Sequence, residues 1–298
     1  MIATEIRQRS PTELVDASFQ FLRRFYAPLV TICAIAMVPA VLARIIARHS
    51  MGYTSMITTA PGPWIAVAAI GFVCAVIADS ILVVAISSGY LHGAIDIAHT
   101  FRAGARRIFA LAIATLIRYS MVAVVVIVAF VVLVIILATE IAIGGAPSAQ
   151  SELVHARFAV LVSIPFVLVL VAYPLLRTFP ATMIVMLEDS VGRAAVKRSI
   201  AMTKGHTAHV FFTLGLSLIL YMVAALLSAV LAVKLLTPTT AGIVQSLVII
   251  PIFPFFTVAK TLLYYDLRVR REGFDLEVIL RDLDDQETAA AGKMAYGS

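Results

Sequence analysis

The chain has 298 residues, 61% of them hydrophobic and only 13% charged, with a mean hydropathy of +1.01 and a formal net charge of +6. A water-soluble domain of this length would need far more surface charge, so the composition excludes one and points to a polytopic membrane protein. Nucleic acid is not implied by the positive balance, because the Lys and Arg fall in short loops between apolar runs, where the positive-inside bias accounts for them.

Residues 1–26 open with a helix start signal. Ser10 stands as N-cap, Pro11 as first helical residue and Glu13 completes a capping box. Leu14, Phe21, Leu22 and Phe25 share one face, opposite Glu13, Asp16, Gln20, Arg23 and Arg24, which predicts an interfacial helix over 11–25. The run LVTICAIAMVPAVLA that follows could also serve as the core of a secretory signal, but the long acidic-containing region before it favours a retained membrane helix.

Six apolar segments come next, at 27–48, 63–90, 109–138, 157–187, 208–235 and 241–266. Each is long enough to cross about 30 Å of hydrocarbon. The connections 49–62, 139–156 and 236–240 are rich in Gly, Pro, Ser and Thr. By contrast 91–108, 188–207 and the two tails hold sixteen Lys and Arg, against four at the opposite ends (Arg44, Arg48, Arg157, Lys234). Positive-inside asymmetry therefore places both termini in the cytoplasm, and the expected location is the cell's inner membrane.

A weak repeat precedes the odd-numbered spans: DASFQFLRRFYAPL, DIAHTFRAGARRIFAL and AVKRSIAMTKGHTAHVFF. Any membrane helix entered from a basic loop looks like this. Three copies of an inner helix, span, outer turn and span would instead give three pseudo-repeats of two spans. Proline gathers in spans one (Pro28, Pro39), four (Pro165, Pro174, Pro180) and six (Pro251, Pro254), so three bent helices beside three straight ones suggest a cavity or a gate.

The last span leads into TLLYYDLRVRREGFDLE. Tyr264 and Tyr265 suit the headgroup level, Asp266 and Arg270 form an i,i+4 pair, and Gly273 permits a left-handed cap. Leu276, Ile279, Leu280 and Leu283 then predict a second interfacial helix at 275–283, followed by a disordered cytoplasmic tail at 284–298. The expectation is one six-helix transmembrane domain over 1–283, an all-α integral membrane protein with amphipathic interfacial helices.

Catalytic motifs are missing. The six histidines (His49, His92, His99, His155, His206, His209) form no HExxH or Cys/His set, and there is no P-loop, GxSxG or strand-borne GxGxxG. His92 and His99, seven residues apart, would share a helical face as a solvated pair. Cys33 and Cys74 lie within apolar runs and read as core residues. Neither a cofactor nor a metal is expected.

Charges inside the spans are the exception. Asp79, Arg118, Arg177 and Lys260 each carry a cost of about 2.5–3.5 kcal/mol at a bilayer centre, so each should meet a partner or a wet interior. Counting about 1.5 Å per residue from inner ends near Tyr90, Phe109, Leu187 and Asp266 puts Asp79, Arg118 and Arg177 roughly 14–17 Å deep and Lys260 roughly 9 Å. Depth matching thus predicts that Asp79 pairs with Arg118 or Arg177. The remaining cation, with Lys260, would face a cavity suited to an anionic lipid phosphate, unless the cluster is simply a structural ion pair.

The segments SPTELVDASFQFLRRFYAPL, KRSIAMTKGH and TLLYYDLRVRREGFDLE resemble a family of bacterial six-span proteins named after the membrane domain of glycerophosphoryl diester phosphodiesterase. In the named enzymes this membrane domain accompanies a TIM-barrel hydrolase; the chain holds no soluble segment of the roughly 250 residues such a barrel needs. The resemblance therefore implies the membrane architecture without the phosphodiesterase activity. Three classes remain open: a non-catalytic scaffold or accessory subunit, with a membrane or cytoplasmic protein partner; a transporter or permease for an anionic lipid or phosphorylated small molecule; and an intramembrane enzyme, for which Asp79 would be the sole acidic group within the spans.

Overall fold

The computed structural model describes residues 7–51, 61–143, 167–188 and 190–274, together with 276 and 280. Among them every regular element is a helix: α1 (Pro11–Arg24), α2 (Tyr26–Met51), α3 (Pro61–His92), α4 (Ile97–Arg106), α5 (Ile108–Ile143), α6 (Ala181–Leu187), α7 (Arg193–Thr203), α8 (Thr207–Leu235) and α9 (Pro238–Glu272). A helical run at 167–178 precedes α6 and ends in a turn at Phe179 and Pro180. Six stretches are long and apolar enough to cross a membrane: Tyr26–Ala47, Gly62–His92, Ile108–Val132, Val167–Leu187, Thr207–Leu235 and Thr240–Glu272. The chain is an all-α, multi-pass membrane protein.

Local chemistry sets the helix ends. Ser10 accepts from the Glu13 amide at 3.3 Å while Glu13 Oε2 accepts from the Ser10 amide at 2.8 Å, so the capping box predicted from sequence is complete, with Pro11 behind it. Thr237 caps α9 by accepting from the Thr240 amide, with Pro238 behind it, and Gly273 closes the helix at φ +64°, a left-handed geometry that costs glycine little. Each odd-numbered span follows a short helix after a brief break: α1 and α2 at Phe25, α4 and α5 at Arg107, α7 and α8 at residues 204–206. The short helix of the weak repeat is thus present three times.

The described residues fall into two compact units. One draws on Met1–Phe109, Met186–Glu188 and Ala208–Ser298, the other on Ala110–Val185 and Asp189–Thr207. In the first, α9 is the axis: α1, α2 and α3 pack on it, α2 also packs on α3, and α4 packs on α3. Leu29, Ile32 and Cys33 of α2, Ala78, Leu82 and Ile86 of α3, and Val258, Ala259 and Leu263 of α9 are fully buried. Gly104 lets α4 approach α3 closely, since a Cβ there would stand 2.9 Å from Ile81 Cγ1. In the second unit, Ser199 and Thr203 of α7 donate to the Arg177 carbonyl at 3.0 and 3.3 Å, which ties α7 to the end of the 167–178 run. Leu116 and Phe130 of α5 stand exposed, as a helix surface in lipid allows.

Some sequence expectations change. The surface helix α1 buries Leu14, Val15 and Ser18, and its partner is α9, with Phe19 and Phe255 rings 4.5 Å apart. His92 ends α3 and His99 lies in α4, with Gly93 at φ +71° and the α4 cap Asp96 between them, so they do not share one helical face. Pro28 stands in the first turn of α2, where a missing amide costs nothing, which leaves Pro39 as that helix's interior proline. Of the interfacial helix expected at 275–283 only residues 276 and 280 are described; the tail at 284–298, most of the connections 49–62 and 139–156, and the start of the fourth span with Pro165 lie outside the described residues.

Candidate functional site

The polar chemistry of the first unit is arranged along one stripe of α9. Thr257, Lys260, Thr261, Tyr264, Tyr265 and Arg268 recur at three- and four-residue spacing, so they share one face of the helix. That face meets α3. Lys260 Nζ donates to Asp79 Oδ1, and Thr257 Oγ1 donates to the same oxygen at 2.6 Å. Both charged side chains are only 16% exposed. Lys260 also lies 5.2 Å from the Phe256 ring centroid, a further site for its charge.

Counting depth from Asp266 makes Lys260 too shallow to be the main partner of Asp79, but α9 continues past Asp266 to Glu272. Counted from His92 and Glu272, Asp79 lies about 20 Å and Lys260 about 18 Å along their helices, so the two are level. Arg118 and Arg177 belong to the second unit. There each guanidinium lies against a tyrosine of its own helix, Arg118 at 5.6 Å from the Tyr119 ring and Arg177 at 5.7 Å from that of Tyr173.

One to two turns further along α9 the seam continues. Tyr265 and Ser87 of α3 share a hydrogen bond of 2.6 Å, and Tyr264 donates to Glu188 Oε1 at 2.6 Å. Neither tyrosine is a headgroup anchor at the edge of the fold: Tyr264 is fully buried and Tyr265 nearly so, with Tyr90 and Phe274 stacked beside Tyr265 at 5.1 and 5.7 Å. An aromatic pair at a span's end reads as a belt when the neighbouring helices are unseen.

Asp266 lies on the opposite side of α9 from this seam, toward the N-terminal segment and the start of α8. Its carboxylate accepts from Arg270 Nε at 2.6 Å, from His209 Nε2 of α8 at 2.9 Å and from the Arg9 backbone amide at 2.7 Å, while Arg270 donates back to the Arg9 carbonyl at 2.7 Å. The i,i+4 pair expected from sequence is therefore half of a clamp that holds the N-terminal segment and the start of α8 to the last helix. Its side chain is 1% exposed, so this carboxylate depends on these donors rather than on water. The contacts of Arg9 and His209 are long-range and carry no local signal; the T-x-x-K-T-x-x-Y-Y spacing at 257–265 does, because five polar residues at helical period within an apolar span require a polar counterpart.

Two of the cavities among the described residues border the first unit. One of about 170 Å³ is lined by Arg44, Gly71, Tyr221, Ser246 and Phe253. The other, about 280 Å³, lies beside α1. Among the described residues no cluster of His, Cys, Asp and Glu could hold a metal ion. No protein-family model, curated protein or solved structure matches the chain.

Proposed function

We propose that this chain is a non-catalytic membrane scaffold or accessory subunit of a bacterial inner membrane, with both termini cytoplasmic. The observation that carries the reading is the closure of Asp79: the acidic group singled out within the spans is held by Lys260 and Thr257, with little exposure left for work on a substrate. A general base needs a proton acceptor facing a substrate, and an ion pair spent on packing two helices is a poor one. The same holds for Asp266, whose donors come from three parts of the fold. The sixteen-to-four distribution of Lys and Arg supports the orientation. The resemblance to the membrane domain of glycerophosphoryl diester phosphodiesterase supports a role beside a separate catalytic partner, and anionic phospholipid is its natural surrounding.

Affinity-tagged chain cross-linked in its native membrane and analysed by mass spectrometry tests this. A protein partner recovered in near-stoichiometric amount is the expected result. Glycerophosphodiester hydrolysis by the purified protein, abolished in Asp79→Asn, would overturn the non-catalytic reading.

A second reading, a permease for an anionic lipid or phosphorylated small molecule, is favoured by the Arg44 cavity, since a cation beside buried Ser246 and the Tyr221 ring is an unusual lining for a closed helix pair. Substrate-dependent flux in proteoliposomes, lost in Arg44→Leu, would select it.

A further inference from the structure

The cavity beside α1 has a chemistry that neither the ion pair nor the Asp266 clamp uses. Arg7, Arg9, Gln20 and Arg24 supply its polar lining and Phe21 and Leu262 its apolar lining, around about 280 Å³. Ala17, Gln20, Phe21 and Arg24 recur on α1 at i, i+3, i+4 and i+7, so one stripe of that helix forms a wall. Arg7 and Arg9 come to the same cavity because the clamp fixes the backbone of Arg9 at both its amide and its carbonyl, immediately before the α1 capping box begins to turn the chain at Ser10. The wall is built by a long-range contact, since Asp266 and Arg270 lie at the far end of the sequence.

The charge balance is uneven. Glu13 faces Arg7 at 3.4 Å across an exposed pair, and Asp16 accepts from Gln20 at 2.8 Å. Asp266 is engaged by the Arg9 amide, His209 and Arg270. Arg24 rests 5.1 Å from the Phe25 ring and has no carboxylate partner among the described residues. Three guanidinium groups thus border the cavity, at the arginine-rich end of α9; Arg7 faces Glu13, while Arg24 meets no carboxylate among the described residues. A fixed guanidinium holds two oxygens of a phosphate at once, and an apolar floor beside it accepts the carbon attached to that phosphate. The volume is at the low end for ligand sites and suits a headgroup rather than a larger solute.

We propose that this cavity binds the phosphate of an anionic ligand, with Arg24 as the bidentate anchor and Arg7 and Arg9 completing the positive lining. This goes beyond the scaffold reading and survives its failure, because it concerns a ligand and not a protein partner. The chemistry is shared by a phospholipid headgroup and a free phosphate, and the two are separated by experiment.

The full chain is purified in a neutral detergent and delipidated, then titrated with phosphatidylglycerol under native mass spectrometry and, separately, with inorganic phosphate while its melting is followed. Arg24→Gln is compared with Arg24→Lys, which keeps charge and helix propensity but not the fork, and with Arg102→Gln on the exposed face of α4. The expected result is apparent phosphatidylglycerol affinity weakened about tenfold in Arg24→Gln, less in Arg24→Lys, and unchanged in Arg102→Gln. A melting increase with inorganic phosphate that Arg24→Gln loses, without a phosphatidylglycerol effect, assigns the site to a soluble phosphate. Should Arg24→Gln fail to fold, weakened binding of either ligand by folded Arg24→Lys sustains the site. Equal binding of both ligands by the folded Arg24 variants and the wild type overturns it.

Discussion

Asp79 and Lys260 meet across α3 and α9, one carboxylate oxygen receiving both the ammonium of Lys260 and the hydroxyl of Thr257. Two charges removed from water attract each other strongly, yet what the pair contributes over an apolar replacement is small, because both were desolvated to form it. Losing one partner is a different matter. Lys260→Met should destabilise the protein by roughly 3 kcal/mol, whereas the double change Asp79→Leu with Lys260→Met should recover most of that loss. Unfolding in mixed micelles, followed by circular dichroism, reads both; an unshifted midpoint for Lys260→Met would show that the pair is not closed.

The clamp at Asp266 predicts a local effect far away in sequence. Asp266→Ala removes the acceptor for the Arg9 amide, His209 and Arg270 together. Residues 7–10 should then detach more often, and tryptic cleavage after Arg9 should accelerate about tenfold, equivalent to about 1.4 kcal/mol of local opening. A cleavage rate equal to that of the wild type would mean that other contacts hold the segment.

Backbone and side-chain hydrogen bonds to Ser10 hold the Glu13 carboxyl below the usual carboxylate range. A carboxyl lowered in the folded state contributes stability that is present above its unfolded value and lost as pH falls through its folded value. Hydrogen exchange of the α1 amides, corrected for intrinsic rate, should therefore speed up as pH drops below about 4. Glu13→Gln should remove that pH dependence.

Tyr264 and Tyr265 are adjacent and both buried, but their hydroxyls meet different partners. Tyr264→Phe deprives the Glu188 carboxylate of a donor and should cost about 1.5–3 kcal/mol; Tyr265→Phe, opposite the neutral Ser87, should cost about 1. Unfolding midpoints that ranked the two in the opposite order would contradict the assigned partners.

Gly104 faces Ile81 at a distance that leaves no room for a methyl group. Gly104→Ala should destabilise the α3 and α4 contact by about 1–3 kcal/mol, and shortening the neighbour in Gly104→Ala with Ile81→Ala should relieve part of it. Thermal unfolding of the three proteins checks the coupling.

Features that depend on composition and on neighbours within one helical turn are legible in the chain before it folds. Six spans follow from run length, the start of α1 from Ser10, Pro11 and Glu13, its counterpart at the end of α9 from Gly273, and the Asp266–Arg270 pair from i,i+4 spacing. Which faces meet is a matter of packing between helices. Asp79 found Lys260 because α9 runs on past Asp266 and brings the two to one level, something a depth count from a guessed helix end could not show. Tyr264 and Tyr265, whose position suits the headgroup level, turn inward onto Glu188 and Ser87. Helical period fixes which residues share a stripe, but the partner of that stripe is chosen by packing between segments remote in the chain, and for Arg9 and Asp266 that separation is nearly the whole sequence.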